Sequence, residues 1–190
     1  FRGYHPYKRS RPKLDTENVR HELVQKLFNL YGINSVISLS GYEMPASRDG
    51  EFMPPEIDII DTKKNHISID IEYNLVYFHS DASEYLQALR KIGLFIINHP
   101  GPYYLHCRLG SDRTGVTSAV FAALSGATWE EIAEDYEKTS NCGIGEYRNR
   151  KLLKYSLKRL TGHDPEEENN LSELMKEVFV KENILSKGEI

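Results

Sequence analysis

The stretch that decides the fold is His106-Cys107-Arg108-Leu109-Gly110-Ser111-Asp112-Arg113-Thr114-Gly115. The aromatic and apolar residues 103–105 before it predict a strand, and the apolar residues 116–124 after it permit a helix. The stretch is therefore predicted to be a tight loop between a strand and a helix N-terminus. Such a loop directs successive backbone N–H groups into one concavity, where the helix dipole adds partial positive charge. The sequence predicts a phosphate-binding loop over residues 107–113, here called the phosphate loop, with Cys107 at its base.

The residue types in this loop favour a particular chemistry. A helix N-terminus and a nearby cation favour the thiolate form of a cysteine, and a thiolate can attack phosphorus and split hydrolysis into two easier steps. Arg113 offers a planar fork of donors that matches two phosphoryl oxygens. Positioning and charge stabilisation are what phosphoryl transfer mainly requires, and the loop supplies both without a metal. A buried cysteine at a strand end is often only a small hydrophobic residue, but the whole string favours Cys107 as a nucleophile.

The string resembles the phosphate-binding loop of the cysteine-dependent protein tyrosine and dual-specificity phosphatases. Asp112 directly before Arg113 resembles a branch of bacterial tyrosine phosphatases, whose usual loop reads His-Cys-x-Ala-Gly-Lys-Asp-Arg-Thr-Gly. Weaker similarities to that branch lie at residues 1–2, 32–39 and 132–136. The departures from its usual residues are Leu109 for alanine, Ser111 for lysine, and Ser40 where an arginine often follows the strand. The missing lysine bears on substrate preference and not on the core chemistry.

The resemblance implies roles for the residues of this motif. The residues expected to bind the phosphate are Arg108, Leu109, Gly110, Ser111, Asp112 and Arg113. His106 resembles the family histidine that bonds within the loop and tunes the thiolate, although a buried core histidine would look the same. Thr114 resembles the residue that bonds the sulfur and eases release of the thiophosphate; otherwise it is only a residue of the first helical turn.

The leaving group needs a general acid, and a carboxyl is the usual choice. Asp112 lies within the loop, where the resembled branch is thought to place its acid. Asp81 lies upstream at the end of a predicted strand, where dual-specificity phosphatases place theirs. Each has a structural alternative, since Asp112 could orient Arg113 and Asp81 could cap a helix in a capping box with Glu84. Asp112 is the preferred candidate, and Asp81 stays open.

Composition and pattern predict a single globular domain over residues 1–190, with an arm at 1–14 and a C-terminal helical extension at 162–190. Hydrophobic residues make up 39% and charged residues 27% of the chain, as in ordinary globular proteins. Strands alternating with helices predict an α/β fold: a mixed, mostly parallel sheet flanked by helices on both faces.

The local patterns predict these elements in more detail. A helix capped by Asp15 or Thr16 is predicted from the helical spacing of the apolar residues Val19, Leu23, Leu27 and Leu30. Strands are expected at residues 35–39 and 75–78. Two further short strands are expected at 57–59 and 67–71, with a turn at 63–65 between them, and residues 40–56 should form a loop. Further helices should begin at 81–84 and, with a capping box, at 128–131, and should span about 145–161 and 168–185. The basic cluster of Arg148, Arg150, Lys151 and Lys154 is interpreted as a solvated helix face.

The expected reaction is hydrolysis of a phosphomonoester, most often on phosphotyrosine proteins. Phosphoinositides or inositol phosphates are the alternative substrates, because Arg108 adds a cation beside the loop, and an inactive phosphate-binding module is a further alternative. Intact Cys107 and Arg113 argue against inactivity. Low-molecular-weight phosphatases and arsenate reductases share the Cys and Arg spacing but place it near the N-terminus.

No cofactor, metal or nucleic-acid partner is expected, and the net charge of -4 gives no global attraction to nucleic acid. No stretch approaches the roughly 20 apolar residues of a membrane span. A cytoplasmic protein is expected, with secretion or the periplasm left open because the chain starts at Phe1. With two cysteines a disulfide framework is not expected; Cys142 is interpreted as a bystander, with reversible pairing to Cys107 as the alternative.

Overall fold

The computed structural model describes residues 1–6, 16–41, 65–142 and 147–190, and the structural statements below concern these residues. Four strands form one sheet in the order β1-β4-β2-β3, and every strand pairs in parallel with its neighbour. The strands are β1 (Arg2–Gly3), β2 (Ser35–Ser38), β3 (His66–Ser68) and β4 (Tyr103–His106). The register places Ser38 beside His106 and Ser68, so β2, β3 and β4 end at the same edge of the sheet.

The helices follow the strands along the chain. They are α1 (Glu17–Tyr31), α2 (Tyr73–Phe78), α3 (Ser83–Asn98), α4 (Asp112–Leu124), α5 (Trp129–Lys138), α6 (Arg150–Thr161) and α7 (Leu171–Lys181). The capping box predicted at residues 128–131 is confirmed, because the side chains of Thr128 and Glu131 each bond the other's backbone N–H. None of the helices described is long and apolar enough to cross a membrane.

The two faces of the sheet pack against different helices. Val36 and Tyr104 point to one face, where they pack with Val24 and Phe28 of α1. On the other face the side chains join a larger cluster with the remaining helices, including Ile37, Leu105, Leu89, Val116, Leu157 and Phe179. Full burial of each such side chain stabilises the fold by about 1.5–3 kcal/mol. The predicted α/β architecture with helices on both faces is therefore confirmed.

The helix predicted after residue 16 is confirmed as α1, but the residues whose spacing predicted it do not face the core. Val19, Leu23, Leu27 and Leu30 are exposed, whereas Val24, Gln25 and Phe28 are buried. The ring of Phe28 lies 4.8 Å from that of Tyr104, so an aromatic contact to the sheet orients the helix. The spacing of the leucine-rich stripe therefore predicts the helix correctly but does not mark the face that the helix buries. Thr16 occupies the N-cap position without a capping hydrogen bond from its side chain, and Asp15 lies outside the described residues.

The apolar residues 75–78 are helical and do not form the predicted strand. They belong to α2, which buries Val76 and Tyr77. A short apolar run fits a buried strand or a buried helix equally well, so periodicity could not separate the two. Of the predicted strand at 67–71, residues 66–68 form β3, and Asp70 then makes an isolated antiparallel bridge with Ser40.

Helix α3 begins near the predicted position, but Asp81 does not cap it. The N-cap residue is Ala82, and the Glu84 carboxylate accepts from the hydroxyl of Ser83. The Asp81 carboxylate instead accepts from Arg159 at 2.6 Å, which explains the absence of the predicted capping box. The strand predicted at 57–59, the turn at 63–64 and most of the loop at 40–56 lie outside the described residues, as does most of the arm at 1–14.

Candidate active site

The phosphate loop connects the end of β4 to the first residue of α4. Cys107 follows directly on His106, the last residue of the strand, and its side chain is only 3% exposed. Helix α4 begins at Asp112, so the N-terminal N–H groups and the positive end of the helix dipole lie at the loop. The predicted order of strand, loop and helix N-terminus is confirmed.

The N-terminal residues, which include β1, pack against the phosphate loop and bond its backbone. Arg2 donates from Nη1 to the carbonyl of Gly110 at 3.1 Å, and the His5 N–H donates to the carbonyl of Arg108 at 3.3 Å. Gly110 has a φ of +74°, and a Cβ at this position would lie 2.3 Å from the backbone of Gly3. Glycine is therefore required at position 110 both by its backbone conformation and by the close approach of β1.

We expect Gly110→Ala to destabilise the protein by more than the about 1–2 kcal/mol that a left-handed backbone alone costs an L-residue. The excess comes from the collision of the new Cβ with Gly3. Gly162→Ala is the matched control, because Gly162 has a φ of +77° and nothing within 4 Å of its Cβ position. Urea unfolding measures both losses; equal losses would show that β1 and the loop can separate freely.

The guanidinium of Arg113 is held in place through one of its nitrogens, Nη1. Its Nη1 donates to the carbonyls of Leu39 at 3.1 Å and Ile71 at 3.2 Å, which follow β2 and β3 at the same sheet edge as the loop. Its Nε and Nη2 make no hydrogen bond to any residue in the described ranges. The guanidinium is thus fixed in place while two donors are left for an anion, which suits a fork that binds two phosphoryl oxygens.

Asp112 is the centre of a network of hydrogen bonds. Its Oδ1 accepts from the hydroxyl of Tyr77 at 2.8 Å, and its Oδ2 accepts from Arg148 Nη2 at 2.9 Å and from the Ser111 hydroxyl at 3.2 Å. The Tyr77 hydroxyl is also hydrogen-bonded to that of Tyr136. Burial raises the pKa of Tyr136 to about 12, and burial with the adjacent Tyr136 and Asp112 raises the pKa of Tyr77 as well. Both hydroxyls therefore keep their protons, and Tyr77 can donate to Asp112.

No local pattern along the chain predicts this network. Arg148 was assigned to a solvated basic cluster, but it is 9% exposed and turned towards the loop. The neighbouring Arg150 does behave as predicted, since it pairs with Glu137 and Glu130 on the outside of α5. Tyr77 and Tyr136 are brought to Asp112 by the packing of separate helices, which spacing along the chain does not encode.

Two further carboxyl groups, those of Asp81 and Asp70, differ in their partners. Asp81, the second candidate acid, lies between α2 and α3 and is ion-paired with Arg159. Asp70 was not singled out from the sequence. It precedes Ile71, whose carbonyl holds Arg113, and its exposed carboxyl has no hydrogen-bond or ion-pair partner within the described part of the chain.

Two polar side chains, those of Thr114 and His106, were expected to act on Cys107. The hydroxyl of Thr114 is buried and has no hydrogen-bond partner among the described residues, so the expected bond to the sulfur is not formed in this structure. His106 is fully buried, and its Nδ1 lies 3.3 Å from the Cys107 carbonyl. Burial lowers the pKa of His106 well below its usual range, with the neighbouring His5 acting in the same direction. The imidazole is therefore neutral, and Nδ1 carries the proton that it donates to the carbonyl.

The neutral His106 predicts a loss of stability in acid. Below about pH 6.5 an unfolded histidine takes up a proton, whereas the buried His106 does not, so the unfolded state binds more protons. The free energy of unfolding should therefore fall by up to about 1.4 kcal/mol per pH unit below this point and level off above it. Urea unfolding of the native protein and of His106→Asn isolates this contribution, because the variant lacks it. Parallel pH curves would show that the folded protein protonates His106.

The remaining predicted residues occupy different positions around the loop. Arg108 is exposed and Leu109 half-buried, whereas Ser111 is fully buried and its hydroxyl belongs to the network around Asp112. Cys142 is an exposed free thiol whose sulfur contacts the carbonyl of Lys138. No group of three or more His, Cys, Asp or Glu side chains in the described ranges could hold a metal ion.

Fold and site together define a class of protein: a parallel α/β sheet in which an inner strand ends in a cysteine and arginine loop at a helix N-terminus. A family model described as the tyrosine phosphatase family matches residues 52–181, more than half of the chain. The chain belongs to the tyrosine phosphatase family, and membership supports a phosphatase function on a phosphorylated substrate. Neither the curated proteins nor the solved structures include a match to the chain.

Proposed function

We propose that the protein hydrolyses phosphomonoesters through a covalent cysteinyl phosphate, and that its main substrates are phosphotyrosine proteins. The observation that carries this proposal is the placement of Cys107 at the base of the loop, together with Arg113 held so that Nε and Nη2 remain for an anion. A nucleophile and a preorganised anion-binding edge are the two parts that this reaction needs.

In the first step the phosphate of the substrate sits in the loop, bound by backbone N–H groups and the fork of Arg113. The Cys107 thiolate attacks phosphorus, so that a sulfur–phosphorus bond forms while the bond from phosphorus to the leaving oxygen breaks. The leaving oxygen takes up a proton, supplied by a carboxyl group of the site or by water. Charge on the equatorial oxygens is stabilised by Arg113 and the helix N-terminus, which are already in place before the reaction.

In the second step a water molecule attacks phosphorus, the sulfur–phosphorus bond breaks, and inorganic phosphate leaves with the thiolate restored. The buried hydroxyl of Thr114 is available to donate to the sulfur as it becomes a leaving group. Neutral His106 donates to the Cys107 carbonyl and so fixes the backbone at the nucleophile.

Phosphotyrosine is the preferred substrate because the family is that of the tyrosine phosphatases and because Cys107 lies at the bottom of the site. A phosphate on an aromatic ring reaches further from the peptide backbone than one on a serine. Phosphoinositides or inositol phosphates are the second candidate, supported by the exposed Arg108 in the loop.

Turnover of p-nitrophenyl phosphate in the presence of a metal chelator tests the activity itself. One peptide carrying phosphotyrosine, phosphothreonine or phosphoserine at the same position then tests the substrate class, with a set of inositol phosphates alongside. We expect activity with the chelator and the highest kcat/KM on phosphotyrosine. Phosphate binding without turnover would instead identify an inactive binding module.

A further inference from the structure

The carboxylate of Asp112 is surrounded by donors. Arg148 offers only N–H groups, and the Tyr77 hydroxyl donates to Oδ1 while it is also bonded to Tyr136. The Ser111 hydroxyl lies on Oδ2 together with Arg148. These hydrogen bonds fix the orientation of the carboxyl group, and Arg148, which can only donate, occupies one side of Oδ2.

A general acid needs the opposite surroundings. It has to hold a proton in the enzyme–substrate complex and keep that proton directed at the leaving oxygen. Both oxygens of Asp112 instead accept hydrogen bonds from other side chains of the protein.

We propose that Arg148 is a positioning residue that holds Asp112 as an anchor of the phosphate loop, and that Asp112 does not supply the proton to the leaving group. This inference rests on the proposed phosphatase reaction and concerns the roles of individual residues within its site. Arg148 acts through Asp112, which immediately precedes Arg113 in the chain.

The network joins four parts of the fold: three meet at the Asp112 carboxylate, and the fourth is linked to it through the hydroxyl of Tyr77. Asp112 is the first residue of α4, Tyr77 lies on α2, Tyr136 lies on α5, and Arg148 lies just before α6. The backbone N–H of Arg148 is itself fixed by the Ser140 hydroxyl at 2.7 Å. A displacement of about 1 Å in catalytic groups can lower a rate about a hundredfold, so the network has the means to control the geometry of Arg113.

The test compares Arg148→Met, Arg148→Lys and Asp112→Asn on a series of aryl phosphates whose leaving groups range from p-nitrophenol to unsubstituted phenol. We expect Arg148→Met to lower kcat by about a hundredfold with little change in KM. The ratio kcat/KM, which reports the step that expels the leaving group, should fall by the same factor for every leaving group. Arg148→Lys, which keeps a charge beside Asp112, should recover part of the loss. Asp112→Asn should show the same loss, independent of the leaving group.

The double variant Arg148→Met/Asp112→Asn should be no slower than the slower single variant, because both changes remove one anchor. If Arg148→Met does not fold, Tyr77→Phe removes another donor to Asp112 and should likewise lower kcat uniformly. Thermal unfolding of each variant measures the fraction of folded protein at the assay temperature. The value of kcat is then calculated for folded protein only.

A loss in Asp112→Asn that grows as the leaving group becomes poorer would overturn the proposal, because that dependence identifies the proton donor. Faster turnover of phenyl phosphate by Arg148→Met would overturn it too, since it would mean that freeing Asp112 makes a better acid. A dependence on the leaving group in Asp70→Asn or Asp81→Asn, but not in Asp112→Asn, would support it. Failure of the proposed function is separate: the native protein would then not hydrolyse p-nitrophenyl phosphate at all.

Discussion

Replacing Cys107 by serine should lower the turnover of p-nitrophenyl phosphate by several orders of magnitude. The variant should remain folded and able to bind the substrate. The serine hydroxyl is nearly isosteric with the thiol but stays protonated at neutral pH, so the nucleophile is lost. Loss of a covalent nucleophile characteristically has an effect of this size. Because Cys107 lies at the base of the loop with 3% exposure, the substitution changes the reacting atom and little of the packing around it.

Cys142→Ser is the matched control, because it makes the same chemical change at an exposed free cysteine. It should retain the activity of the native protein. Steady-state kinetics measures turnover in both variants, and equilibrium binding of phosphate to Cys107→Ser shows whether the loop is intact. Substantial chelator-sensitive activity in Cys107→Ser would mean that a metal, and not the thiolate, carries the reaction.

The second large effect is expected for Arg113→Lys, which should lower kcat by at least about a hundredfold. Lysine keeps the positive charge but has no planar fork. A single ammonium group cannot donate to the carbonyls of Leu39 and Ile71 and at the same time present two parallel donors to a phosphoryl group. The loss should therefore be larger in kcat than in substrate binding, since the fork matches the equatorial oxygens of the transition state.

Arg150→Lys makes the same change in an arginine that pairs with Glu137 and Glu130 away from the loop. Its kcat should equal that of the native protein. If Arg113→Lys also turned over at the native rate, the backbone N–H groups of the loop would be sufficient to stabilise the transition state.

The sequence was most informative where the structure depends on neighbours in the chain. The strand before Cys107 and the helix after it follow from local pattern, and the capping box at Thr128 follows from two residues in one helical turn. The need for glycine at position 110 has a different origin. It comes from the approach of Gly3, which lies at the other end of the chain and whose position no local pattern reveals.

The parts that could not be predicted depend on contacts between distant elements. Arg148 looks like one more cation in a basic run, and only the packing of the chain before α6 against the loop turns it inward. Helix α1 shows the same limit. Its leucine stripe is the stronger pattern, yet the contact of Phe28 with Tyr104 decides which face is buried.

The most direct test of the account is to identify the residue that carries phosphate during turnover. The native protein is mixed rapidly with an aryl phosphate that has a good leaving group and is denatured within one turnover at alkaline pH, where a sulfur–phosphorus bond is stable. It is then digested and analysed by mass spectrometry. We predict one phosphoryl group on the sulfur of Cys107. No such group should be found when Cys107→Ser is treated in the same way. Release of the phenol at the native rate with no phosphoryl group on Cys107, or with one on another residue, would contradict it.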